Sequence, residues 1–177
     1  PAGGHLVNSF DLLRLHKFGD LDDEAKEGTP TVKLPSYTRM KQFAVADEAV
    51  ALALNQERYR QTMDDFGTEA EDADTNWMSR LKINPRDGKP DKCAFNVLLL
   101  LENDPQLKGK LKKDTFADRV YGVAPLPWGS RKEAEGDFAW SDEDDAGLRI
   151  YVDQVLGFRS RDIVDDAFRD HIARHAY

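Results

Sequence analysis

Residues 91–123 read DKCAFNVLLLLENDPQLKGKLKKDTFADRVYGV, and the two halves of this stretch have different periods. In the first half Phe95, Val97 and Leu98 to Leu101 are apolar almost all round, which predicts a helix buried on most sides with Asp91 as its cap. A second short helix is predicted over 105–111. From Thr115 to Val123 the pattern shifts towards period two, with Phe116, Val120 and Tyr121 favouring extended backbone. A tight turn near Ala117-Asp118 makes this a small hairpin near 112–124, closed off by Pro125-Leu126-Pro127-Trp128. Helix and hairpin in one stretch set the class: mainly α (α+β), with one small β-hairpin.

The flanks agree with that class. On the N-terminal side, 36–67 reads as one long helix or a helix pair, with Ser36 as N-cap and Tyr37, Met40, Phe43 and Ala44 on one face. A weaker stripe runs through Val50, Leu54, Tyr59, Met63 and Phe66. Residues 1–35, with Gly3-Gly4, the acidic run Asp20 to Glu24 and Gly28-Thr29-Pro30, read as a loosely structured lead-in holding one short helical piece, Phe10 to Phe18. Thr68–Thr75 is an acidic connector, and 76–177 is expected to be a compact helical domain. On the C-terminal side, Ser141-Asp142-Glu143-Asp144 has the form of a capping box. Leu148, Tyr151, Val152 and Val155 follow at i, i+3, i+4 and i+7, and Gly157 suits the stop. A last helix begins near Ser160 with Val164, Ala167, Phe168 and Ile172 inward.

Composition restricts function. The 177 residues carry a formal charge of −8, which excludes a protein that coats nucleic acid through bulk charge. That charge is uneven: residues 1–80 carry −6, 81–132 carry +5 and 133–177 carry −7. No apolar run approaches the roughly 20 residues of a membrane-spanning helix, so no membrane partner is expected. One cysteine, Cys93, forms no internal disulfide, and the default expectation is a cytoplasmic setting. The chain opens on Pro-Ala-Gly-Gly, as expected of a processed end or a fragment of a longer polypeptide.

Catalytic signatures are absent. Neither Gly88-Lys89-Pro90 nor Gly109-Lys110-Leu111 completes a phosphate-cradling P-loop. Cys93, beside Phe95 in the apolar helix, reads as a buried core thiol rather than a nucleophile. His171 and His175 have metal-sharing spacing, but Ile172 stands where the zincin motif needs Glu, and they read as surface histidines near a helix C-terminus. The acidic run Asp142 to Asp145 reads as helix capping. No catalytic residue, metal or cofactor is expected in this chain.

The partner-binding signal is Lys108, Lys110, Lys112 and Lys113 with Arg119 behind them, preceded by Lys82, Arg86, Lys89 and Lys92. Helix, turn and helix followed by a hairpin with lysines at its start resembles a winged helix, in which lysines meet phosphates. Solvation of a surface turn, or a protein-binding face, remains open beside DNA contact.

From Asn96 onward the chain resembles replication proteins of the virulence-associated protein E family, found in phages, prophages and pathogenicity islands. The residues that carry the likeness are Asn96-Val97, Leu100 through Gly109, Phe116, Arg119-Val120, Leu126-Pro127-Trp128, Trp140 through Asp144, and Val164-Asp165-Asp166-Ala167. Asn8 through Asp23 and Lys33-Leu34-Pro35-Ser36-Tyr37 are similar to the segment preceding this region in phage versions. The resemblance implies a region just before a superfamily 3 helicase-type ATPase domain, often downstream of a primase–polymerase domain. It implies a role in phage or mobile-element DNA replication, with the catalytic machinery of the parent protein outside these residues. Trp128 and Trp140 match the family's tryptophan landmarks and read as packing residues rather than base-stacking ones. The expected partners are DNA and, alternatively, the downstream helicase domain or a neighbouring subunit, docking on the helix of 36–66 or on the acidic C-terminal helices.

Overall fold

The computed structural model describes residues 8–68 and 74–176. Gly3-Gly4 and residues 69–73 of the acidic connector lie outside them. The described elements are α1 (Ser9–Phe18), α2 (Pro35–Val45), α3 (Glu48–Phe66), α4 (Ala94–Asn103), β1 (Leu111–Asp114), β2 (Arg119–Gly122), β3 (Phe138–Ala139), α5 (Asp142–Leu156) and α6 (Arg161–Arg174). The class is therefore mainly α with a small antiparallel sheet, as expected. None of the described helices is long and apolar enough to cross a membrane. The chain divides into two compact units, 1–51 with 85–88, and 52–84 with 89–177.

The first unit corrects the lead-in. Asn8 caps α1 by accepting the Asp11 amide at 2.8 Å, and α1 packs along α2 with Phe10 edge-on to Tyr37 at 5.7 Å and Phe18 to Phe43 at 6.0 Å. Its centre is polar. Buried Arg14 donates to Asp11 and Asp22, and Asp22 accepts the Ser36 amide at 2.9 Å and the Ser36 hydroxyl. Ser36 is thus an internal partner and not a cap. The helix starts one residue earlier, with Pro35 at the first helical position, where its missing N–H costs nothing.

The second unit holds the apolar core. Tyr59 and Met63 of α3, Trp77 and Met78 of a 3-10 turn, Val97 and Leu99 to Leu101 of α4, Leu148, Tyr151, Val152, Val155 and Leu156 of α5, and Val164, Ala167 and Ile172 of α6 form one cluster. The helix of 36–67 is thereby a pair, α2 and α3. Asp91 does not cap α4; Cys93 occupies that position, half-buried at the helix start rather than within the core. Asn96, fully buried, takes over the anchoring: its amide oxygen accepts from the Lys82 N–H at 2.9 Å. Its amide nitrogen donates to the carbonyls of Lys82 at 2.8 Å and Asp91 at 3.0 Å.

No helix forms over 105–111. The Asp104 carboxylate and carbonyl capture the amides of Gln106, Leu107 and Lys108 in a compact turn, and β1 begins at Leu111. The hairpin forms with Leu111 opposite Gly122 and Asp114 opposite Arg119, and β3 adds a third antiparallel strand beside β2. At the other end of the unit, Gly157 closes α5 at φ +73° as expected.

Gly147 of α5 permits a close approach in this core. A Cβ there would lie 2.3 Å from Cδ1 of buried Trp128. Gly147→Ala is expected to cost about 1–3 kcal/mol in urea unfolding through overpacking. Gly19→Ala, whose added carbon meets nothing within 4 Å, serves as the near-neutral control.

Candidate nucleic-acid interface

Strand alternation sorts the five basic residues nominated from sequence. Lys112 pairs across the strands with Tyr121, and Asp114 with Arg119, so Lys112, Asp114, Tyr121 and Arg119 share one face of the hairpin. Leu111, Lys113, Val120 and Gly122 share the other face, which packs towards the core through Leu111 and Val120. Lys113 sits at the edge of that face and pairs with Asp118 at 2.8 Å. Lys110 is half-buried; burial lowers its pKa below the ordinary lysine value, against the raising effect of the Asp104 carboxylate. Lys108, in the turn before β1, is exposed, as are Lys112 and Arg119. The structure therefore brings Lys108, Lys112 and Arg119 to the surface, while Lys110 and Lys113 face carboxylates of the same fold.

Sequence reading missed the other side of this surface. A cleft of about 540 Å³ joins Lys108 and Lys112 to Glu102, His171, Arg174 and His175 at the end of α6, where Ala176 bridges to Lys113. Arg174 is held by Asp170 at 2.6 Å and Glu102 at 3.6 Å. His171 is not a surface residue. It is buried, with its ring 4.6 Å from that of His175, and burial first, then the neighbouring His175 and Arg174, push its pKa down to about 4. Only the i, i+4 spacing of the two histidines hinted at this grouping, because Lys108 and Arg174 are remote in sequence. Among the described residues no three or more His, Cys, Asp or Glu side chains converge to hold a metal.

The acidic run does more than cap. Asp144, fully buried, accepts Nε and Nη2 of Arg131 at 2.9 Å each, the Trp128 indole N–H at 3.3 Å, and the Ser141 amide at 2.9 Å. Burial alone would raise its pKa, but Arg131, Ser141 and Trp128 together hold it below the usual carboxylate value. Asp145 accepts the Trp140 indole N–H at 2.7 Å, and Trp140 stacks on Phe168 at 4.8 Å. Both tryptophans are committed to packing, as expected.

Beneath the hairpin lies a second buried carboxylate. Asp104 accepts from the Tyr151 hydroxyl at 2.7 Å, the Tyr59 hydroxyl at 3.1 Å and the Gln106 amide at 2.7 Å. Burial outweighs these donors and pushes its pKa up to about 6. With no exposure to solvent it offers nothing to a substrate, and it acts as a polar post joining α3, α5 and the turn before β1.

No protein-family model and no curated protein sequence matches the chain.

Proposed function

We propose that the chain is a non-catalytic accessory domain of a phage or mobile-element DNA replication protein of the virulence-associated protein E type. In this reading it works in the cytoplasm and holds nucleic acid beside a helicase-type ATPase domain. The observation that carries the DNA contact is the shared hairpin face: Lys112 and Arg119 flank Tyr121, with Lys108 in the preceding turn, while Asp114 on that face is engaged by the Phe116 and Ala117 amides. Cations spaced along a strand pair meet successive phosphates without reading sequence. The neighbouring stretches are acidic, −6 before residue 81 and −7 after residue 132, so an anionic polymer is steered to the basic segment between them.

The test is fluorescence anisotropy with single-stranded, duplex and forked DNA at low and moderate salt. Lys112→Glu with Arg119→Glu is expected to weaken binding at least about tenfold at moderate salt and to flatten the salt dependence. The matched control is Arg159→Glu with Arg169→Glu, two exposed arginines outside the hairpin, and it leaves binding unchanged. Equal losses in both pairs contradict the assignment.

One observation favours a second reading, a docking module without DNA contact. Val50 and Leu54, one turn apart on α3, are both exposed, as are Leu12 and Leu15 on α1. Sedimentation velocity separates the readings, because Leu54→Glu abolishes self-association or binding to the helicase domain only if that helix docks.

A further inference from the structure

The hairpin tip, residues 115–118, is built to hold one side chain outward. Phe116 is 100 % exposed, yet the turn that carries it is pinned at both ends. Asp114 Oδ1 accepts the amides of Phe116 at 2.8 Å and Ala117 at 3.0 Å, and Asp118 adopts φ +48° with its carboxylate 2.8 Å from Lys113 Nζ. Asp at the start of such a turn is the residue whose side chain best replaces a backbone acceptor. The hydrogen bonds and the ion pair fix the backbone around a phenyl ring that contributes nothing to the core. Below it on the hairpin Lys112 and Arg119 are exposed cations, with Lys108 exposed in the turn before β1 and the carboxylates Asp114 and Asp118 engaged in holding the turn.

A partner for this tip needs two properties together: negative charge for the lysines and a flat apolar surface for the ring. Unpaired nucleotides supply both, whereas in a duplex the base faces are already covered by their neighbours. We infer that Phe116 is a base-stacking residue, and that the hairpin engages single-stranded nucleic acid or the unpaired arm of a fork. This rests on the nucleic-acid reading above and adds to it the strand state of the ligand. A turn backbone fixed in advance loses little freedom on binding, so more of the stacking energy appears as affinity.

The experiment uses the full chain and an oligonucleotide carrying 2-aminopurine, as a single strand and as a duplex of the same sequence. Phe116→Ala is expected to weaken single-strand binding about tenfold and to leave duplex binding unchanged. Phe116→Leu behaves like Phe116→Ala, because it lacks a flat face. Phe116→Trp restores affinity, and the bound 2-aminopurine is quenched by the native chain and by the tryptophan variant but not by the alanine one. Full exposure of the ring keeps folding out of the result, and unchanged thermal melting of the three variants verifies that.

The inference is overturned if Phe116→Ala binds single strands like the native chain while Lys112→Glu with Arg119→Glu does not, and the phosphate reading then stands alone. Equal loss on single strand and duplex also overturns it, as does full affinity in Phe116→Leu. A native chain that binds neither DNA at low salt removes both the inference and the reading beneath it.

Discussion

Asp144→Ala is expected to lower the unfolding free energy by about 3–5 kcal/mol, the largest effect of any single substitution considered. The carboxylate is fully buried and is the shared acceptor for Arg131, the Trp128 indole and the Ser141 amide. Alanine leaves the Arg131 guanidinium without its bidentate partner and strips two further donors, so the loss combines an uncompensated charge with unsatisfied polar groups. Asp144→Asn keeps the shape and some of the acceptor capacity but loses the charge, and falls between alanine and the native chain. Because the carboxyl is held below its ordinary value, its stabilising contribution is present above about pH 4 and is lost as pH falls further. The measurement is urea unfolding followed by tryptophan fluorescence. Trp77, Trp128 and Trp140 all lie in the second unit, so the signal reports that unit. A loss below about 1 kcal/mol, the scale of an exposed ion pair, contradicts the role given to Asp144.

The second large effect has the opposite sign in pH. Asp104 has a folded pKa of about 6 against an ordinary 3.8, so the folded state binds the extra proton between these values. Its contribution to stability is therefore fully present below about pH 4 and is lost as pH rises through 6. Asp104→Asn removes the titration while keeping a group that bonds to Tyr59, Tyr151 and the Gln106 amide. The variant and the native chain are expected to have similar stability near pH 4. By pH 7 to 8 the variant gains on the order of 2 kcal/mol relative to the native chain, from a shift of about two units in a buried group. Stability curves across pH 4 to 8 give the difference directly, and one that does not change with pH contradicts the buried-charge account of Asp104.

These two carboxylates also mark where sequence reading reached and where it stopped. The capping role of Asp144 follows from its place three residues after Ser141, and that box and Gly157 mark the two ends of α5 in the sequence. Its bonds to Arg131 and Trp128 span 13 and 16 residues and have no local signature. Asp104 gave no sign of its two tyrosine partners, and its capture of the following amides is what turned the predicted helix over 105–111 into a turn. The apolar run of α4 and the period-two hairpin were legible because burial and pleat leave direct periodic patterns. β3 was not, since two residues carry no period.

The first unit reads as loose from its sequence for a physical reason. Its centre is Arg14, Asp22 and Ser36, polar residues that composition assigns to loops and that only tertiary proximity makes into a core. For the interface, the run of basic residues was visible, but its sorting was not. Register decides that Lys112 and Arg119 share one face and Lys113 the other, and burial beside the Asp104 carboxylate is what withdraws Lys110. His171 and Arg174 join Lys108 across more than sixty residues of chain, a proximity that no spacing rule conveys.

The central claim is the place of nucleic-acid contact, and photo-crosslinking reads it most directly. Single-stranded DNA is irradiated with the full chain at low salt, and the crosslinked residues are located by mass spectrometry. The account expects the crosslinks within residues 108–121, at Phe116 and Tyr121 above all, and expects them to fade when Lys112 and Arg119 are reversed. Crosslinks confined to α1, α2 or the acidic helices α5 and α6, or no crosslink under conditions where a known single-strand binder reacts, contradict it.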